Sequence, residues 1–167
     1  KKILIVCGEG YAITKQQQSV LDSFCNKYDA AVLCDKMSNC HVANSIENAF
    51  PLLQALDNAD VTELAPDIII SIRSNFSFNP ELKSFVNRVK GNGIKIENWF
   101  VHPSGRICDP YKGILTNVFE MDEFYFFDQM VAVKTKGGKR IAELLNFLGE
   151  VNGLIMEHHA DGIVARR

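Results

Sequence analysis

The sequence predicts an α/β fold, a three-layer Rossmann-like parallel sheet with helices on both faces. Three observations carry that expectation. Lys2–Cys7, Ala30–Cys34 and Ile68–Ile72 are short, almost unbroken apolar runs; a strand wet on one side would alternate, so these are strands covered on both sides. Stretches with helical apolar spacing lie between them. The order of strand and helix then implies a sheet wound by right-handed crossovers.

Each element has its own local signal. Lys2–Cys7 is bounded by Gly8. Thr14 opens a helix, and Gln17 three residues on completes a possible capping box. Val20, Leu21, Phe24, Cys25 and Tyr28 make its apolar face. Ala30–Cys34 closes on Asp35, and Met37-Ser38-Asn39 reads as a loop at its carboxyl end. Phe50-Pro51-Leu52-Leu53 with Leu56 predicts a short helix, with Pro51 in the first turn where its missing N–H costs nothing. Pro66-Asp67 precedes the Ile68–Ile72 strand. Asn79-Pro80 supplies a cap and first helical residue; Leu82, Phe85, Val86 and Val89 form the face behind it, and Gly91-Asn92-Gly93 stops the helix. Ile94–Val101 predicts a mixed strand holding the single tryptophan, Trp99. Gly105–Asp109 reads as one more short strand, and Glu123–Phe127 is an aromatic run of unassigned type. Ile141, Leu144, Leu145 and Leu148 mark a late helix with Gly149 at its stop.

The 167 residues suit one domain with an ordinary core. Net charge is −2 with no Lys/Arg run, so nucleic acid is not an expected partner. No apolar run approaches the roughly 18–20 residues of a membrane span, and no signal peptide is evident. Five cysteines without a CxxC pair argue against a disulfide framework or a zinc site and point to a reducing cytoplasm. The chain opens on Lys1-Lys2 without Met, as a trimmed product or an excised piece would.

Four residues are candidates for cofactor binding: Gly8, Gly10, Asp35 and Arg73. Gly8-Glu9-Gly10 is a partial GxGxxG whose third glycine is replaced by Ile13; it is either a phosphate-binding turn or a tight turn after a buried strand. Asp35 could bond a ribose or cap a loop before Ser38 and Asn39. Arg73, with Ser74 and Asn75, follows a buried strand, where open α/β sheets place ligands. It could meet an anion there or pair with a carboxylate of a neighbouring domain. Arg106 and Asp109 flank a turn and read as structural. His41, His102, His158 and His159 have no metal spacing, and Ser38 and Ser104 lack a GxSxG turn. No catalytic residue and no metal set is expected.

"KKILIVCGEG" with its following helix and "AAVLCDKMSN" resembles the start of the central domain of thiamine-diphosphate-dependent enzymes. "FPLLQAL…ELAPDIIISIRSNFSFNPELKSFV" and "ENWFVHPSGRICDPYKGILTNVFEMDEFYFF" are similar to the branch formed by the menaquinone-pathway 2-succinyl-5-enolpyruvyl-6-hydroxy-3-cyclohexene-1-carboxylate synthases. That branch usually has glycines where this chain has Arg73 and Ser74. The resemblance implies a central-type domain over residues 1–127 and a helical extension or linker over 128–167. It implies a parent transferase or lyase working on 2-oxo acids, with thiamine diphosphate and magnesium held by the other two domains and a dimer mate. It implies no cofactor here, since a Gly-Asp-Gly segment is missing and Ala160-Asp161-Gly162 is its nearest approach. The alternative expectation is a nucleotide- or FAD-binding regulatory module.

Overall fold

The computed structural model describes residues 1–34, 36–47, 50–73, 80–105 and 109–133. Asp35, Ser74, Asn75, Arg106, Cys108, the late helix with Gly149, His158, His159 and Ala160-Asp161-Gly162 lie outside them.

Among the described residues six strands form one parallel sheet: β1 (Ile3–Cys7), β2 (Ala30–Cys34), β3 (Ser45–Glu47), β4 (Ile68–Ile72), β5 (Glu97–Val101) and β6 (Leu115–Phe119). Their order is β3-β2-β1-β4-β5-β6. The chain thus steps outward from β1 to one edge, returns to the middle, and steps outward again. The reversal opens a crevice at the carboxyl ends of β1 and β4, the place where such sheets bind ligands. The three-layer Rossmann-like architecture is the one the sequence predicts.

α1 (Lys15–Tyr28) and α5 (Glu123–Ala132) cover one face; α2 (Phe50–Ala55), α3 (Asn58–Leu64) and α4 (Pro80–Gly91) cover the other. β4 shows why its run is unbroken: Ile68, Ile70 and Ile72 enter the α1/α5 layer, while Ile69 enters the opposite one. The α1/α5 layer is aromatic. Phe24 meets Phe127 edge-on at 4.9 Å, and Phe119 lies 5.1 Å from Phe126. Such pairs add about 0.5–1.5 kcal/mol beyond the area they bury.

Thr14 caps α1, its side chain accepting from the Gln17 N–H while Gln17 returns a bond to the Thr14 N–H. At the other end, the Lys27 ammonium donates to the carbonyls of Val131 at 2.7 Å and Val133 at 2.5 Å, and the Tyr28 hydroxyl donates to Met130 at 2.7 Å. These bonds satisfy carbonyls that the end of α5 leaves without helical partners.

Four elements differ from the sequence reading, the short strand β3 among them. A second capping box, Asp57 with Asp60, starts α3, a separate helix after α2. Leu115–Phe119 supplies the sixth strand; Gly105 and Asp109 are not in strand. The aromatic run at Glu123–Phe127 is the first half of α5, capped by Asp122 and continuing to Ala132 with Met130 buried.

Candidate functional site at the switch between β1 and β4

Gly8, Gly10 and Arg73 converge at the crevice, and Asp35 falls outside the described residues. The Gly8 N–H donates to the Ile72 carbonyl at 3.0 Å, which carries the β1–β4 ladder one step past Cys7. The Gly10 N–H donates to the Met37 carbonyl at 3.1 Å. The Asn39 side-chain amide donates to the Gly10 carbonyl at 2.8 Å, and the Ile13 N–H donates to the Asn39 carbonyl at 3.4 Å. The loop after β1 is therefore stitched to residues 36–40, where Lys36–Ser38 forms a 3-10 turn. A phosphate cradle needs backbone N–H groups aimed at the ligand; those of Gly8 and Gly10 are directed to the chain's own carbonyls. Ile13, in the place of the third glycine, packs against the α1/α5 core.

Arg73 occupies the space above this turn. A Cβ on Gly10 would lie 2.6 Å from its Nη1 and 2.8 Å from its Cδ and Cζ. A side chain at position 10 would therefore push the Arg73 guanidinium aside. The guanidinium donates to the Ser38 carbonyl and lies 5.9 Å from the centre of the Phe124 ring. Arg73 also has φ +62°, the left-handed region. A residue with a Cβ costs about 1–2 kcal/mol there. Here the guanidinium contacts offset the cost.

Below the turn, Cys7 and Cys34 are register partners on adjacent strands, and Cys40 lies beside both. None of Cys7, Cys25, Cys34 or Cys40 is in a disulfide, and all four are buried. Hydrogen bonding with Cys34 favours the Cys40 thiolate, but the bond with Cys7 and burial outweigh it and push the thiol up to about 12. Burial, reinforced by Asp22 and Cys34, likewise pushes Cys25 up to about 12. Thiols held protonated are poor nucleophiles and poor metal ligands.

The remaining candidates stay apart. His41 is exposed. The His102 Nδ1 accepts the Ser104 N–H at 3.1 Å inside one turn, and its ring stacks on Phe100. Ser38 is buried and its hydroxyl accepts the Cys40 N–H at 3.3 Å. Asp109 accepts the Gly113 N–H at 2.6 Å within a turn. Among the described residues no group of three His, Cys, Asp or Glu side chains could hold a metal ion. No helix among them is long and apolar enough to cross a membrane.

Sequence reasoning missed the contacts of Met37 and Asn39 with Gly10 and of Phe124 with Arg73. Only Asn39 carried a signal, as an asparagine ending a loop; it has φ +48°, which asparagine tolerates.

No protein-family model matches the chain. It is 28% identical over 131 residues to the 2-succinyl-5-enolpyruvyl-6-hydroxy-3-cyclohexene-1-carboxylate synthase of Flavobacterium psychrophilum. The match takes in 78% of this chain and 22% of that relative, so the chain spans about a fifth of the relative's length. This likeness supports a distant relationship to the thiamine-diphosphate-dependent enzyme family.

Proposed function

We propose that the chain is a central scaffold domain of a thiamine-diphosphate-dependent synthase or decarboxylase acting on a 2-oxo acid, nearest to the menaquinone-pathway synthase. The single observation that supports the scaffold reading is the use of both glycine amides within the chain. The sheet order is that of a dinucleotide fold, yet the Gly8 and Gly10 amides are spent on backbone carbonyls and Arg73 lies on Gly10. The described residues do not fit a magnesium-bound diphosphate: the turn directs neither glycine amide outward, and no metal-holding group forms. On this reading thiamine diphosphate and magnesium belong to other domains of the parent and a dimer mate. This domain spaces those parts and carries no catalytic residue. Its buried, unpaired-by-disulfide thiols fit a reducing cytoplasm.

The test has two arms. The full-length protein is expected to turn over a 2-oxo acid only with thiamine diphosphate, and the 167 residues alone are expected to be inert. Thiamine-dependent turnover by the 167 residues would overturn the scaffold reading. A melting-temperature panel with FAD, NAD, ADP and coenzyme A separates the alternative nucleotide-binding module. A ligand at about a hundred times its Kd adds about 2.7 kcal/mol of stability. The scaffold predicts no shift with any of the four.

A further inference from the structure

The Gly91-Asn92-Gly93 stop of α4 carries a chemistry of its own, away from the crevice. An asparagine followed by glycine is able to react with itself. The glycine has no Cβ, so its backbone nitrogen approaches the side-chain carbon of the asparagine without hindrance. Asn92 and Gly93 are both exposed, and a Cβ on Gly93 would meet nothing within 4 Å. A ring therefore has room to close there, and water has access to it. Hydrogen bonds hold the pair in place. The Gly93 N–H donates to the Lys90 carbonyl at 3.0 Å and the Ile94 N–H to the Val89 carbonyl at 3.3 Å. With Gly93 at φ +74°, these are the two bonds of a Schellman cap. The Asn92 side-chain amide donates to the Thr62 hydroxyl of α3 at 3.1 Å, and that hydroxyl donates onward to the Asn58 carbonyl at 2.9 Å. Bonds at an exposed helix end open at small cost in free energy.

We propose that Asn92 is a self-modification site: its side-chain amide is lost to water through a ring closed by Gly93, at a pace set by the Thr62 bond. A water-derived base takes the proton of the Gly93 amide, and the nitrogen forms a bond to Cγ of Asn92. The Cγ–Nδ2 bond breaks, and the side-chain nitrogen takes up a proton and leaves as ammonia. Water then opens the succinimide at one of its two carbonyls, giving aspartate or isoaspartate. The net change consumes one water and releases one ammonia, with no oxidation or reduction. The product has a carboxylate where Asn92 had a donor. The Thr62 proton is already committed to the Asn58 carbonyl, so this tie between α3 and α4 ends. The new negative charge also stands at the carboxyl end of α4, where the helix dipole disfavours it. α3 buries only Val61, so it is the element that loosens.

The full protein is aged in neutral and in mildly alkaline buffer beside a free peptide of residues 90–94. Peptide mapping by mass spectrometry reads Asn92 separately from Asn152-Gly153, which lies outside the described residues. Asn92 is expected to convert at no less than about a tenth of the peptide's rate, as a fraying helix end allows. The products are expected to include isoaspartate, and the rate to rise with pH. Thr62→Val is expected to speed conversion about two- to tenfold, the scale of one neutral hydrogen bond. Asn92→Gln is expected to silence the site, because a six-membered ring closes far more slowly. Asn92→Asp, a stand-in for the product, is expected to speed hydrogen exchange in α3 about two- to tenfold. Melting temperatures check the fold of each variant. Asn92 intact after the peptide has converted about ten times over in half-lives overturns the proposal, and aspartate without isoaspartate overturns the ring. A Thr62→Val rate equal to the parent's overturns the role of the Thr62 bond. Unchanged exchange in α3 overturns the loosening.

Discussion

The two ends of β1 are built on opposite terms. At the carboxyl end, polar groups of three loops consume one another: Gly8 with Ile72, Gly10 with Met37 and Asn39, Arg73 with Ser38. At the amino end, leucines from the second helix layer and the sheet line a hollow. The first end sits where α/β sheets ordinarily bind ligands, and among the described residues its glycine amides and its arginine are already bonded within the chain. The lesson is that strand order locates a crevice, while the donors and side chains around it decide whether the crevice has anything left to offer.

The largest expected effect tests how firmly the carboxyl end is held by these bonds. Cys7, Cys34 and Cys40 lie beneath it, each 2% exposed or less. If only global unfolding reaches them, alkylation by N-ethylmaleimide is slowed at least about a thousandfold against the unfolded chain. Peptide mapping by mass spectrometry reads each site separately. Fast labelling of Cys7 and Cys40 with Cys25 still protected would show that this end opens locally and would break the contrast.

Removing the Arg73 side chain comes next. Arg73→Ala loses a charge-assisted hydrogen bond and keeps the left-handed backbone, and should cost about 1.5–3 kcal/mol in urea unfolding. Arg73→Gly loses the same bond and relieves the backbone, so it should be about 1 kcal/mol less destabilising than the alanine variant. Equal costs would mean that φ +62° carries no strain.

Gly10→Ala displaces Arg73 from its seat, and its cost should largely repeat that of Arg73→Ala. In the double variant the two effects should fail to add by about 0.5–3 kcal/mol, the range for residues in contact. Additivity within error would separate the glycine from the arginine. The smallest effect belongs to the amino end. Leu64→Gln, at a rim position 57% exposed, should change stability by no more than about 0.5 kcal/mol. A larger loss would show the hollow to be part of the packed core.

The strands that could be read in the sequence are those buried on both faces. β1, β2, β4 and β5 are runs of five residues with at most one that is not buried, and the first three are also almost wholly apolar, which makes them plain in the sequence. α1 was legible because its capping box and apolar face agree; α4 has Leu82, Phe85, Val86 and Val89 at helical spacing. β6 is an edge strand with only Phe119 fully buried, so Thr116 and Asn117 dilute its signal. β3 is three residues long and forms because β2 offers it a ladder. α3 buries Val61 alone, which is no stripe, although its Asp57-Asp60 box was present to be read. α5 hid for the opposite reason, since Phe124, Phe126, Phe127 and Met130 are all buried and give no alternation.

At the crevice, Gly8, Gly10 and Arg73 were legible as residues. Their use was not. The acceptor for the Gly10 amide comes from a loop 27 residues further along the chain, and the ring near Arg73 comes from Phe124. Those are long-range contacts, settled by where the sheet order brings the loops, and no local pattern encodes them.

The end of α5 has a mechanical consequence. Lys27 and Tyr28 gather its last carbonyls onto α1, far from it in sequence. A pull applied to the chain beyond Val133 therefore reaches α1 before it can peel α5 from the sheet. Force is shared between two helices in the same layer, and the rupture load should be that of shearing both together. Lys27→Met would convert that shared shear into a one-helix unzipping at lower force.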